Sequence, residues 1–146
     1  MARDNALLPP NFDLERRRQI WQLLASPLFD FAWDEETPAD DLRRIGHEIV
    51  ELGYADAEIR WIYWSEVFPA IAGAWLAIDP RNPDWLQQRI IFRPRIGLYL
   101  TCILRPWWIW VGWDCWRKIT HEVANERRLL MNCKKTDLNE AISDGQ

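Results

Sequence analysis

Few side chains in this chain could carry acid–base or metal chemistry. Among 146 residues there are two histidines, His47 and His121. His47, Glu48 and Glu51 put an imidazole and a carboxylate four positions apart, one helical turn, a spacing that can hold a metal ion. On so charged a segment, a solvated helix face is the simpler expectation. His121-Glu122 opens like the two-histidine zinc motif of metalloproteases, but position 125 is asparagine, so the second imidazole is missing. Cys102, Cys115 and Cys133 show no C-x-x-C spacing, which argues against a zinc knuckle or a disulfide framework. Cys102 and Cys115 lie in the most apolar segment and read as buried thiols. There is no nucleophile elbow, and six scattered glycines are poor material for a phosphate-cradling loop. The expectation is a protein that is not an enzyme, with no catalytic residues, no cofactor and no metal.

Side chains suited to binding are abundant instead. Eleven residues are tryptophan, where ordinary composition gives roughly two. Trp107, Trp108, Trp110, Trp113 and Trp116 fall within ten positions. Tryptophan combines large apolar area with one N–H donor, so it serves cores, binding surfaces and water–lipid boundaries. The net charge of −4 hides an asymmetry: residues 30–80 hold twelve acidic and three basic side chains, residues 81–118 seven basic and two acidic. Either the chain has faces of opposite sign, or the two segments pack together, or the charges are solvated helix faces with internal pairs.

The acidic run Asp30, Asp34, Glu35, Glu36, Asp40 and Asp41 contains no basic residue and surrounds Phe31 and Trp33. Aromatics bordered by carboxylates fit a recognition patch for a basic protein, since apolar anchors supply affinity and charge speeds encounter. Phe31, Trp33, Asp34, Glu35, Glu36, Asp40 and Asp41 are therefore the candidate partner-binding residues. The plainer alternative is a loop followed by an ordinary acidic helix start. A competing surface is the basic, tryptophan-rich segment 89–118, which could meet lipid headgroups. It is too apolar for a DNA-reading helix, so nucleic acid is not an expected partner. Glu66 sits among residues expected to be buried and needs a partner. An internal arginine such as Arg60 or Arg89 is favoured over a cation of a binding partner.

Segment 96–113 is eighteen residues long and nearly all apolar, the lower limit for a membrane span. Arg105 in its middle, Pro106, Gly97 and Gly112 argue for a buried central helix instead. A membrane-surface segment over 96–118 is the alternative. The mean hydropathy of −0.33 fits a globular chain, and the N-terminal residues lack an apolar signal core, so a cytoplasmic location is expected.

These groups must be positioned by helices. Asn11 or Asp13 can cap a first helix that Ser26-Pro27 ends, leaving Leu28, Phe29, Phe31 and Trp33 as an apolar linker. Thr37-Pro38 starts a second helix that Gly53 closes. Asp56 caps a third that Pro69 breaks or kinks, with helix resuming at Ala70. Asn82-Pro83 opens a further helix that Pro94 stops, and Asp114 caps a last long one. No strand pattern appears, so the expectation is an all-α, single-domain bundle of five to seven helices. The domain is expected over 1–132, with 93–132 a tryptophan-rich extension packed on 15–92 and 133–146 a disordered polar tail. Trp21, Trp75 and Trp85 lie on apolar helical stripes and are expected in the core.

The runs ERRRQIWQLLASPLFDFAWDEE, LRRIGHEIVELGY and EVFPAIAGAWLAIDPRNPDWLQQRI resemble a family of small bacterial helical proteins, a domain of unknown function. Trp21, Leu28, Phe29, Glu66, Val67, Pro69, Gly73, Trp75, Trp85 and Leu86 carry the resemblance over residues 15–92. The chain departs from the pattern between Pro69 and Gly73, where the family carries a longer insert. The resemblance implies a helical bacterial domain and brings no activity with it.

Small size, acidity, the absence of a catalytic set and an excess of aromatic anchors together point to an interaction protein. The most specific form of this reading is an immunity-type protein that binds and neutralises a cognate toxin or effector. A membrane-surface accessory protein using 96–118 is the alternative, and a small enzyme of unrecognised type the third.

Overall fold

The computed structural model describes residues 13–32, 35–72, 84–92 and 106–143, and every regular element among them is helical. Helix α1 (Leu14–Ala32) starts where its cap predicts, with the Asp13 carboxylate accepting the Arg16 backbone N–H at 3.0 Å. It does not stop at Ser26-Pro27. Pro27 lies inside the helix, at a cost of about 3 kcal/mol for the lost backbone bond and the crowded turn. Ile20, Leu24 and Leu28 form one fully buried stripe that continues across the proline. Burying a leucine recovers about 1.5–3 kcal/mol, so packing overrides the local stop signal. Phe29 and Phe31, expected in a linker, therefore sit on the last turns of α1. Phe29 packs against Trp85 at 6.0 Å, and Phe31 against Trp107 and Trp108 at 6.3 and 6.1 Å.

Helix α2 (Ala39–Glu51) carries Asp40 and Asp41 in its first turn, where the helix dipole favours anions. Thr37 does not cap it. Pro38 holds the cap position, and the Thr37 hydroxyl donates instead to Asp30 Oδ2 at 2.6 Å. Gly53 closes α2 as expected, with φ of +70°, a conformation that L side chains adopt at a steric cost. Ile45 and Ile49 are buried. Between them Gly46 meets the backbone of the last helix so closely that a Cβ there would lie 2.8 Å from Glu122 Cβ.

Helix α3 (Asp56–Ile62), a π turn (Tyr63–Val67) and α4 (Phe68–Ala72) run on as one rod. Asp56 is not its cap; Ala55 is, and Glu58 Oε2 accepts the Ala55 N–H at 2.8 Å. Pro69 neither ends the rod nor leaves it unchanged. The turn before it widens, and the Phe68 N–H bonds to the Tyr63 carbonyl five residues back. A widened turn moves aside the carbonyl that the proline ring would otherwise strike. Helix α5 (Trp85–Phe92) buries Leu86 and half-buries Trp85. Residues 73–83, with Trp75 and the Asn82-Pro83 start, and 93–105, with Pro94, lie outside the described residues.

Helix α6 (Pro106–Ser143) is a single helix of 38 residues. Asp114 therefore does not cap a separate helix, and the tail expected from Asn132 is helical to Ser143. No glycine or proline stands between Asp114 and Ser143 to interrupt the backbone ladder. Trp108, Val111, Cys115, Ile119 and Val123 form its buried stripe. Gly112 lets it dock on the rod, because a Cβ there would overlap the Phe68 ring. Beside that contact the Tyr63 hydroxyl donates to the Gly112 carbonyl at 2.7 Å. None of the described helices is long and apolar enough to cross a membrane. The fold is an all-α, single-domain bundle.

Glu66 joins α1 to the rod. Its partner is Arg17, not Arg60 or Arg89: Arg17 donates from Nε to Oε2 at 3.1 Å and from a terminal nitrogen to Oε1 at 2.9 Å. The Trp21 indole N–H also donates to Oε2, at 2.6 Å. Two-pronged arginine–carboxylate pairing fixes direction as well as distance. With side chains only 14% and 15% exposed, the pair is shielded far more than a surface ion pair. Glu66→Ala leaves the buried Trp21 N–H without its acceptor and should cost about 2–3 kcal/mol in chemical denaturation. A loss below about 0.5 kcal/mol, typical of an exposed pair, would show that the network does not hold α1 in place.

Candidate functional site

A groove of about 310 Å³ runs between the end of α1, the loop 35–38 and the first turns of α6. Its floor is apolar, made by Pro27, Phe31, Val111 and Cys115, and its rim carries Glu35, Glu36, Thr37, Asp114 and Lys118. Trp110 forms one wall. On α6 the buried stripe uses Trp108, Val111 and Cys115; Trp110 leaves the helix on the groove side of that stripe and Trp113 on the side of the α3–α4 rod. Trp113 leans on Trp64 at 6.2 Å. Trp110 has no ring partner among the described residues and is 69% exposed.

The groove is electronegative. Three carboxylates and one lysine line it. Lys118 Nζ lies 3.2 Å from Asp114 Oδ2 and 3.8 Å from Glu36 Oε1, and Arg117 reaches Asp114 from outside at 3.5 Å. Glu35 pairs with no cation among the described residues. Its backbone N–H bonds to the Asp30 carbonyl at 2.8 Å, and the Asp30 carboxylate holds Thr37, which together shape the loop. Burial pushes the Cys115 thiol up to about 11, with Asp114 and Asp30 adding to the rise and Lys118 opposing it. That thiol donates to the Pro27 carbonyl at 3.8 Å and stays protonated near neutral pH. It is packing, not a nucleophile.

The expected acidic patch is divided. Phe31, Glu35 and Glu36 line the groove, whereas Trp33 and Asp34 lie outside the described residues. Phe31 is half-buried on α1 and is floor, not a free loop aromatic. Asp40 and Asp41 are not groove residues; they pair with Arg43 and Arg44 on α2 at 3.2 and 3.5 Å. Trp110, Asp114 and Lys118 complete the site from the other end of the chain. Glu35 and Glu36 of the acidic run and Trp110, Asp114 and Lys118 of the tryptophan-rich segment, which the sequence sets up as competing surfaces, line one groove. The turn-by-turn phase of α6 is the signal for Trp110, and it is readable only once the helix is known to start at Pro106. A larger groove between α1 and α2, about 670 Å³, is lined by Gln19, Gln22, Arg44 and Glu48 and has no aromatic wall.

The chain belongs to the family described as a domain of unknown function, DUF7079, which it matches over residues 15–129. Both walls of the groove lie within that match, which extends well beyond the resemblance over 15–92. No curated protein and no solved structure matches the chain.

No group of three or more side chains that could hold a metal ion is found among the described residues. His121 contacts Glu122 and Asn125, both at 3.2 Å, on an exposed face. His47 bridges α2 and α6, with Nδ1 2.7 Å from Glu126 and Nε2 3.3 Å from Glu51. Both ring nitrogens face carboxylates, so the doubly protonated ring is favoured. The hydrogen bond to Glu126 raises its pKa most, followed by the charge of Glu51. With the folded value raised, this stabilisation is fully present below the unfolded value of about 6.5 and is lost as pH rises through the folded one. Screening by water keeps it small. The melting temperature of the wild type should exceed that of His47→Gln at about pH 6, with the gap closing by about pH 8.5. A gap that does not change with pH would remove the imidazolium from the α2–α6 contact.

Proposed function

We propose that this protein acts by binding another protein, as an immunity-type protein that neutralises a cognate toxin or effector through the α1–α6 groove. The observation that carries the reading is Trp110, a large apolar side chain standing mostly in water beside the Glu35 and Glu36 carboxylates. An exposed tryptophan next to an apolar floor marks a surface that gains free energy when covered. The charged rim speeds encounter with a basic partner and disfavours acidic ones.

A second reading has its own support. Trp107, Ile109, Trp110 and Trp113 are all exposed near the start of α6 beside Arg117, and such a cluster could lie on a membrane surface.

Co-expression with the product of the adjacent open reading frame separates the two. A partner that is toxic alone should become harmless and copurify with this protein in a stable complex. Trp110→Ala combined with Glu35→Lys and Glu36→Lys should keep the helical circular dichroism spectrum and weaken binding by about 30-fold or more, the scale of a lost hot spot. Unchanged neutralisation by the triple variant would rule out the groove. Flotation of the wild type with liposomes and no rescue would favour the membrane-surface reading.

A further inference from the structure

We infer that the groove receives one arginine side chain of the partner, its guanidinium plane against Trp110 and its N–H donors on Glu35 and Glu36. This rests on the protein-binding reading and names the chemistry that the site recognises. Four observations carry it. Trp110 offers an open ring face, since no other ring covers it among the described residues. The rim holds more carboxylate than cation, and Glu35 is without a cationic partner among the described residues. The floor of Pro27, Phe31 and Val111 is apolar, as the methylene stem of a long cation requires. Finally, the chain builds the same arrangement within its own fold. Arg17 is gripped by Glu66 at 2.9 Å while its guanidinium lies 5.7 Å from the Trp61 ring, and the Arg16 guanidinium stacks over Tyr54 at 4.1 Å.

Charge complementarity selects among occupants. An anionic headgroup or an acidic peptide would be set against Glu35, Glu36 and Asp114. A lysine would satisfy the charge, but its ammonium is more strongly hydrated and has no plane to stack. Arginine meets both demands, and a carboxylate pair can take its fork of donors.

The test uses the full chain and small probes, so it needs no partner. The indole N–H signals of the ¹⁵N-labelled protein are followed while N-acetyl-arginine methylamide, its lysine counterpart or its neutral citrulline counterpart is added. The arginine probe should shift the Trp110 signal saturably, lysine several-fold more weakly and citrulline not at all. Glu35→Gln with Glu36→Gln should weaken arginine binding about fivefold, the scale of two exposed charge contacts, and Trp110→Ala, which lacks the reporting indole, should abolish the arginine-dependent shifts of the Glu35 and Glu36 backbone N–H signals. Equal responses to arginine and citrulline, or no saturable shift at Trp110, would overturn the inference. So would a Trp110 response confined to phosphatidylglycerol vesicles. Loss of the arginine response with toxin neutralisation intact defeats only the inference. Saturable arginine binding by a protein that neutralises nothing defeats only the immunity reading.

Discussion

The architecture depends on how one carboxylate is satisfied. Glu66 sits on the widened turn ahead of Pro69 and accepts three hydrogen bonds from α1, two from Arg17 and one from Trp21. A carboxylate so shielded is tolerated because each of its oxygens has a donor. The pairing sets the position of α1 on the α3–α4 rod. Helix α6 then docks on that rod where Gly112 admits Phe68 and Tyr63 bonds to the Gly112 carbonyl. With both helices referred to the same rod, the end of α1 and the start of α6 converge, and the groove is the space left between them.

The described tryptophans differ in burial by helical phase, with Trp64 and Trp85 half-buried between two extremes. Trp21, Trp108 and Trp116 are buried and close the core. Trp61, Trp107, Trp110 and Trp113 are exposed, Trp110 the most. On α6 the two kinds alternate within three turns, because the inward stripe recurs every three to four residues while the tryptophans fill the whole circumference. A core alone needs only one side of that helix. Trp107 and Trp113 still lean on rings of the fold, whereas Trp110 has no ring partner among the described residues and is the tryptophan that lines the groove.

Helical class, the Asp13 start of α1, the Gly53 end of α2 and the burial of Trp21 are legible in the sequence because capping chemistry and apolar periodicity are local. Local rules mislead at Pro27 and at Asp114. The stop signal at Pro27 loses to the burial of Leu28 and the packing of Phe31 on α6, a tertiary gain that no window of sequence displays. Asp114 has the chemistry of a cap, yet α6 is already under way from Pro106 and Gly112 is spent on a close contact, not on ending a helix. The Arg17–Glu66 pair and the groove have the same character. Their members are far apart in the chain, and complementary residue types alone pointed to Arg60 and Arg89, not to Arg17. Of the acidic patch, the separation of Glu35 and Glu36 from Asp40 and Asp41 follows from α2 starting at Ala39 and pairing its own carboxylates with Arg43 and Arg44.

In the proposed complex the partner covers the wall formed by Trp110. This is tested most directly by replacing Trp110 or Trp61 with a photoreactive phenylalanine analogue and irradiating the assembled complex. Trp61 is the matched control, 52% exposed on α3 and outside the groove lining. A cross-link to the partner is expected from position 110 and none from position 61. Cross-linking from position 61 alone would place the binding surface elsewhere and contradict the proposed complex.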